Sequence, residues 1–142
     1  MLSLTGISWS SDADDAARDL SLVDGRFDKA VFDVAIEGFL EEWAMNDGSL
    51  DFTSVQTPNR TVMRHAKVIA ITVQSLVSRE PVVFGVAVAA EGVYYEVDRA
   101  TEAVLTGDPR HRRPITFAFD LRLDGPEAKG WTVVTARAEQ LG

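Results

Sequence analysis

Ile115-Thr116-Phe117-Ala118-Phe119-Asp120-Leu121-Arg122-Leu123 is the stretch on which the fold turns. Five large apolar residues alternate with Thr, Ala, Asp and Arg. A period of two sends alternate side chains to opposite sides of an extended strand, so one side meets a core and the other meets water. Working outward, Asp124-Gly125-Pro126 carries turn chemistry, and Trp131 to Arg137 reads as a last strand pairing back. In the other direction, Asp98 to Arg113 reads as a polar connection around Gly107-Asp108-Pro109. Before it Val82, Phe84, Val86 and Val88 alternate again, with Gly85 marking a bulge or a close approach. Val93, Tyr95 and Val97 continue that strand across Gly92. Glu80-Pro81 separates it from a β-branched run in which Ile69, Ile71 and Val73 alternate with Val68, Ala70 and Thr72.

A sheet with one apolar face needs a cover, and the period changes to supply one. Phe32, Ile36, Phe39, Leu40 and Trp43 form a helical stripe. Asp28 is placed to cap that helix, Phe27 and Phe32 stand at the spacing of a hydrophobic staple, and Gly48 offers a left-handed stop. The pattern predicts a helix over 29–46, a punctuated linker over 47–60, and four antiparallel strands. The expected fold class is α+β: an N-terminal helix packed on a curved four-stranded antiparallel sheet, in one domain over residues 27–142. Residues 1–26 read as an acidic, weakly ordered leader in which Ser11 caps a short helix through Leu20.

With 142 residues, one core is the prior. The chain has no cysteine, which excludes disulfides, thiolate metal sites and cysteine nucleophiles. No apolar run approaches the roughly 20 residues of a membrane span, and Met1-Leu2-Ser3-Leu4 lacks a basic signal-peptide start. The formal net charge is −8. Residues 1–56 hold 12 acids against Arg18, Arg26 and Lys29, whereas residues 57–142 carry a net +1. Such an acidic chain lacks the electrostatic footprint of a nucleic-acid binder.

His65 and His111 stand 46 residues apart without metal-ligand spacing, and no phosphate loop, dinucleotide fingerprint or nucleophile elbow is present. The expectation is no metal and no cofactor. Asp120, on an apolar strand, is the best single candidate for a base, with Tyr94 or Tyr95 as a proton donor; its place among Thr116 and Arg122 also fits an ordinary solvated face. Arg110, Arg112 and Arg113 around His111 form a compact basic loop suited to phosphate head groups or an acidic segment, or to plain solvation. Trp43, Tyr95, Phe117, Phe119 and Trp131 are core candidates that would line a pocket where helix and sheet splay apart.

Tyr95-Glu96-Val97-Asp98-Arg99-Ala100-Thr101 with Val104-Leu105-Thr106-Gly107-Asp108, then Ile115 to Phe119 and a closing Gly130-Trp131-Thr132-Val133-Val134, resembles the Tim-forty-four-like domain. That family comprises the matrix-side anchor of the mitochondrial inner-membrane protein translocase and bacterial relatives. The likeness covers roughly residues 27–140. It implies a cone-like fold of the nuclear transport factor two-like superfamily and a non-catalytic binding or scaffold role near a membrane surface. It implies contacts with a protein or an anionic lipid. A homodimer through the sheet, and a cytoplasmic place peripheral to the inner membrane, are further expectations for this chain. The superfamily's isomerases and dehydratases, which use paired groups in the cone, give the enzyme alternative resting on Asp120 and Tyr94. The family's hairpin carries Gly after the Thr, where this chain has Glu102, so a left-handed turn there would be strained.

Overall fold

The computed structural model describes residues 7–25, 27–46, 48, 59–124 and 130–139. Two helices lie on one face of a six-stranded, mostly antiparallel sheet. The elements run β1 (Ile7–Trp9), α1 (Ser11–Val23), α2 (Lys29–Met45), β2 (Arg60–Arg79), β3 (Val82–Val97), β4 (Val104–Gly107), β5 (Arg113–Leu123) and β6 (Trp131–Glu139). Strand order is β1-β2-β3-β5-β6, with β4 paired to the far end of β3.

α2 forms where the stripe and its cap predict. The Asp28 carboxylate accepts from the backbone N–H groups of Ala30 (2.9 Å) and Val31 (3.2 Å). Phe32, Ile36, Leu40 and Trp43 are all buried, at spacings that fall on one helix face. Phe39 is only partly buried, at the edge of the stripe, with its ring 5.0 Å from Phe119. Leu40, fully buried, holds the place on the sheet that the sequence reading assigns to Phe39. Gly48 stops the helix at φ 72°, and its N–H donates to the Trp43 carbonyl at 2.8 Å. A Cβ at Gly48 would meet the Met63 Cβ at 2.6 Å, so close approach to β2 as well as φ requires glycine there.

The four-strand expectation is corrected to six. β1 is three residues long and pairs in parallel with Ile71–Val73, a non-local contact that no periodicity announces. β4 lies inside the stretch read as a polar connection, and its four residues are all exposed. β2 begins at Arg60, inside the span read as a linker. Register shifts between Arg64/Lys67, Val68/Ala70, Val73/Ser75 and Leu76/Ser78 break its alternation. Each extra residue flips the side chains that follow it. For this reason Ile69 is exposed while Ile71 and Val73 are buried.

The stretch read as a leader contributes to the same core. Ser10, not Ser11, caps α1: its hydroxyl accepts from Ala13 N–H at 3.1 Å and donates to the Gln74 carbonyl at 2.6 Å. Ala13, Ala17 and Leu20 join the core. Trp9 Nε1 donates to Asp33 of α2 at 3.0 Å, and burial pushes the Asp33 carboxyl above its ordinary range despite that bond.

Candidate functional site

The strand alternation assigns every candidate residue to one face of the sheet. On the helix-facing side, Phe84, Val86, Val88, Phe117, Phe119 and Leu121 pack under α2. Trp43 lies edge-on to Phe117 at 5.0 Å and to Phe119 at 6.5 Å. Trp131 sits at the other end of the core, 4.4 Å from Phe32 and 6.3 Å from Phe27 and Phe84. Four of the five pocket candidates therefore belong to one aromatic layer. Tyr95 does not. It packs with Val62 and Val97 in a separate cluster across the sheet, because residues 94 and 95 of one strand point opposite ways.

The same geometry separates the catalytic candidates. Tyr95 shares the open face with Asp120, but it lies far along β3 from Gly85, the register partner of Asp120, roughly 33 Å at the rise of a strand. Tyr94 faces the helix side, its ring 5.7 Å from Phe117. Its hydroxyl bonds to the Glu96 carboxylate at 3.3 Å, which also accepts from Thr106 at 3.0 Å. Burial first, and then the Glu96 charge, push the Tyr94 phenol well above its ordinary value, so it is a poor proton donor. Asp120 faces the open side. It accepts from the exposed Thr135 hydroxyl at 2.6 Å and stands opposite Gly85. A Cβ at Gly85 would lie 3.3 Å from the Asp120 carboxylate and from a Val77 methyl, so a side chain there would crowd both.

The basic loop is divided rather than clustered. Asp108 organises it, accepting from Arg110 N–H at 2.8 Å and holding His111 Nδ1 at 2.7 Å. The Arg110 N–H first, and His111 second, hold the Asp108 carboxyl below the usual carboxylate range. Arg110 is exposed. Arg112 reaches across β3 instead, donating to the His65 carbonyl at 2.8 Å and the Glu91 carbonyl at 3.4 Å. Arg113 turns to the helix side, 5.8 Å from the Tyr94 ring, with its Nε buried and unpartnered. The sequence did not foreshadow the other half of this surface. The β2 bulge at Arg64-His65-Ala66-Lys67 is brought to the loop by Arg112, and Arg64 and Lys67 are exposed there. Basic residues in both segments were the available signal, but nothing local joins segments 46 residues apart.

An open groove of about 490 Å³ runs between α1 and the end of β2, lined by Asp12, Ala16, Ser75, Leu76, Val77, Ser78 and Arg79. Among the described residues no group of three or more His, Asp or Glu is placed to hold a metal ion. No helix among them is long and apolar enough to cross a membrane. No protein-family model, no curated protein and no solved structure matches the chain.

Proposed function

We propose that this chain is a non-catalytic binding or scaffold domain that engages a protein or lipid near a membrane surface, as its resemblance to the Tim-forty-four-like domain implies. The observation that carries the reading is the separation of Asp120 and Tyr94 onto opposite faces of the sheet. The enzyme alternative pairs Asp120 as base with Tyr94 as donor, and each must come within hydrogen-bond reach of one substrate, which requires both inside one cone. The family reading is supported by the short β3–β4 hairpin at the residues that carry the resemblance, Tyr95↔Gly107 and Val97↔Val104. A cone-like enclosure between α2 and the sheet belongs to this proposal. So does a homodimer through the open face, where Ala87, Ala89, Thr116 and Ala118 leave a surface of short side chains.

The test is sedimentation with membrane preparations, intact or stripped of protein by protease. Retention on intact membranes alone assigns a protein partner. Retention on stripped membranes and on anionic vesicles assigns lipid. Absence from all three overturns the reading.

A further inference from the structure

We infer that the β2 bulge and the loop before β5 form one anion-binding site, built for an acidic segment of a protein partner. The inference rests on the binding-domain reading and names the surface and the partner's chemistry. Three observations carry it.

First, Arg112 ties the two segments together. Its guanidinium spends its bonds on the carbonyls of His65 and Glu91, so it fixes geometry while its charge is not cancelled by a bonded carboxylate. Second, His65 is held at φ 55° in the bulge, a region that non-glycine residues enter at a cost. A left-handed residue in a bulge re-aims the side chains beside it, and the beneficiaries are Arg64 and Lys67. Third, Arg64, Lys67 and Arg110 are exposed, and none of them makes an ion pair within 4.0 Å among the described residues. Glu91, the register partner of Lys67, and Asp108, occupied by His111 and the loop backbone, are the nearby acids.

The result is a small positive island on a chain of net charge −8. That contrast selects the partner. A flat anionic bilayer reaches past the island to more of a molecule whose net charge is negative, and is repelled. A short acidic segment lies within about one Debye length, roughly 8–10 Å, of the island and feels chiefly its charge. Arg112 and Arg113, which the sequence places beside Arg110 as contact residues, act here as a tether and as an inward-facing group.

The experiment is fluorescence anisotropy of a labelled poly-aspartate peptide with the full chain at low ionic strength. The Arg64→Gln/Lys67→Gln/Arg110→Gln variant is compared with an Arg18→Gln/Arg79→Gln/Arg137→Gln control of equal net charge, both checked for an unchanged melting transition. The triple change is expected to weaken binding at least about tenfold and the control less than about twofold, with binding falling as salt rises. Equal weakening by both variants reduces the effect to overall charge and overturns the site. No weakening by the triple change, or no peptide binding at all, does the same. Vesicles of anionic lipid that displace the peptide, and whose binding is lost in the triple variant, replace the acidic segment with a lipid surface. Membrane retention that survives the triple change leaves the binding-domain reading standing and removes only this site.

Discussion

The two faces of the sheet are made by the same strands and differ in almost every physical respect. Along β5, Ile115, Phe117, Phe119, Leu121 and Leu123 are buried under α2, while Thr116, Ala118, Asp120 and Arg122 are only half-covered. Along β3, Phe84, Val86 and Val88 belong to the helix side, whereas Gly85, Ala87 and Ala89 oppose Asp120, Ala118 and Thr116 on the other. One face holds the molecule together by removing aromatic surface from water. The other, apart from the Val62–Tyr95–Val97 cluster at one end, carries little of that burden, and its composition there is free to serve contacts with something else. Stability and binding are divided between alternate residues, and substitution tests that division directly.

The largest effect is expected at Phe84, which is fully buried and touches the rings of Trp9, Phe27, Phe32 and Trp131. Phe84→Ala should cost about 3–5 kcal/mol in denaturant melts, through lost transfer energy and the cavity left behind. A loss below about 1 kcal/mol would mean that the helix-facing layer is not the load-carrying face.

Next comes Gly107, where β4 leaves β3. It stands at φ 89°, and a Cβ there would approach the Tyr94 carbonyl oxygen and the Tyr95 Cα at 2.5 Å. Gly107→Ala should cost at least about 2 kcal/mol, since left-handed strain and backbone overlap add. An unchanged melt would show that β4 is not held against β3 as described.

A smaller effect belongs to Asp33, a carboxylate on the covered side. Burial raises its folded-state pKa, so above that pKa its charge disfavours the fold, and stability recovers as pH falls toward the unfolded value. Asp33→Asn, which retains an oxygen to accept from Trp9, should be more stable than the native chain at neutral pH. The advantage should fade as pH falls through the carboxylate range. Melts at matched pH values check it, and an advantage that grows with acid would reverse the assignment.

How far the sequence reaches is clearest where these regions meet. α2, its cap at Asp28 and its stop at Gly48 are legible because each depends on a few neighbouring residues. β5 is legible because its alternation is unbroken. β2 is legible only in part: its β-branched run over 68–73 marks a strand, but four register shifts hide its period and its start, and β1 is too short to have a period. Asp120 is readable as a polar-face residue from alternation alone. Tyr95, offered as a pocket-lining residue, stands across the sheet from the aromatic layer, because of two adjacent tyrosines on one strand only one can face it. The partnership of Arg64 and Lys67 with Arg110 lies beyond any local pattern.

The turn expectation at Thr101-Glu102 gives a fourth test. Glu102 stands at φ 61°, in the left-handed region that favours glycine, and its carboxylate pairs with Arg60 at 3.0 Å. Glu102→Gly relieves strain of roughly 1–2 kcal/mol. It also removes an exposed pair worth about 0.2–1 kcal/mol and adds unfolded-state entropy. A net gain below about 1 kcal/mol is expected in denaturant melts. A clear loss would show that the Arg60 contact, rather than backbone conformation, governs this turn.

The smallest effect should come from Asp120→Asn, and it bears most directly on the contrast between the faces. Asp120 is half-covered on the open side, where its bonded neighbour is the exposed Thr135 hydroxyl. Asparagine keeps an acceptor oxygen for that bond and fits the space opposite Gly85. The change should therefore leave stability within about 0.5 kcal/mol of the native chain, as substitutions outside a core do. A carboxylate enclosed by the aromatic layer would behave otherwise, because removing a buried charge or leaving a buried donor unpaired moves stability by about 1–3 kcal/mol. The measurement is a denaturant melt of Asp120→Asn beside Tyr94→Phe, which alters the helix-facing side instead. If Asp120→Asn shifts stability by more than about 1 kcal/mol, the open face is not open at Asp120. The separation of Asp120 from Tyr94 would then lose its ground, and with it the argument for binding over turnover.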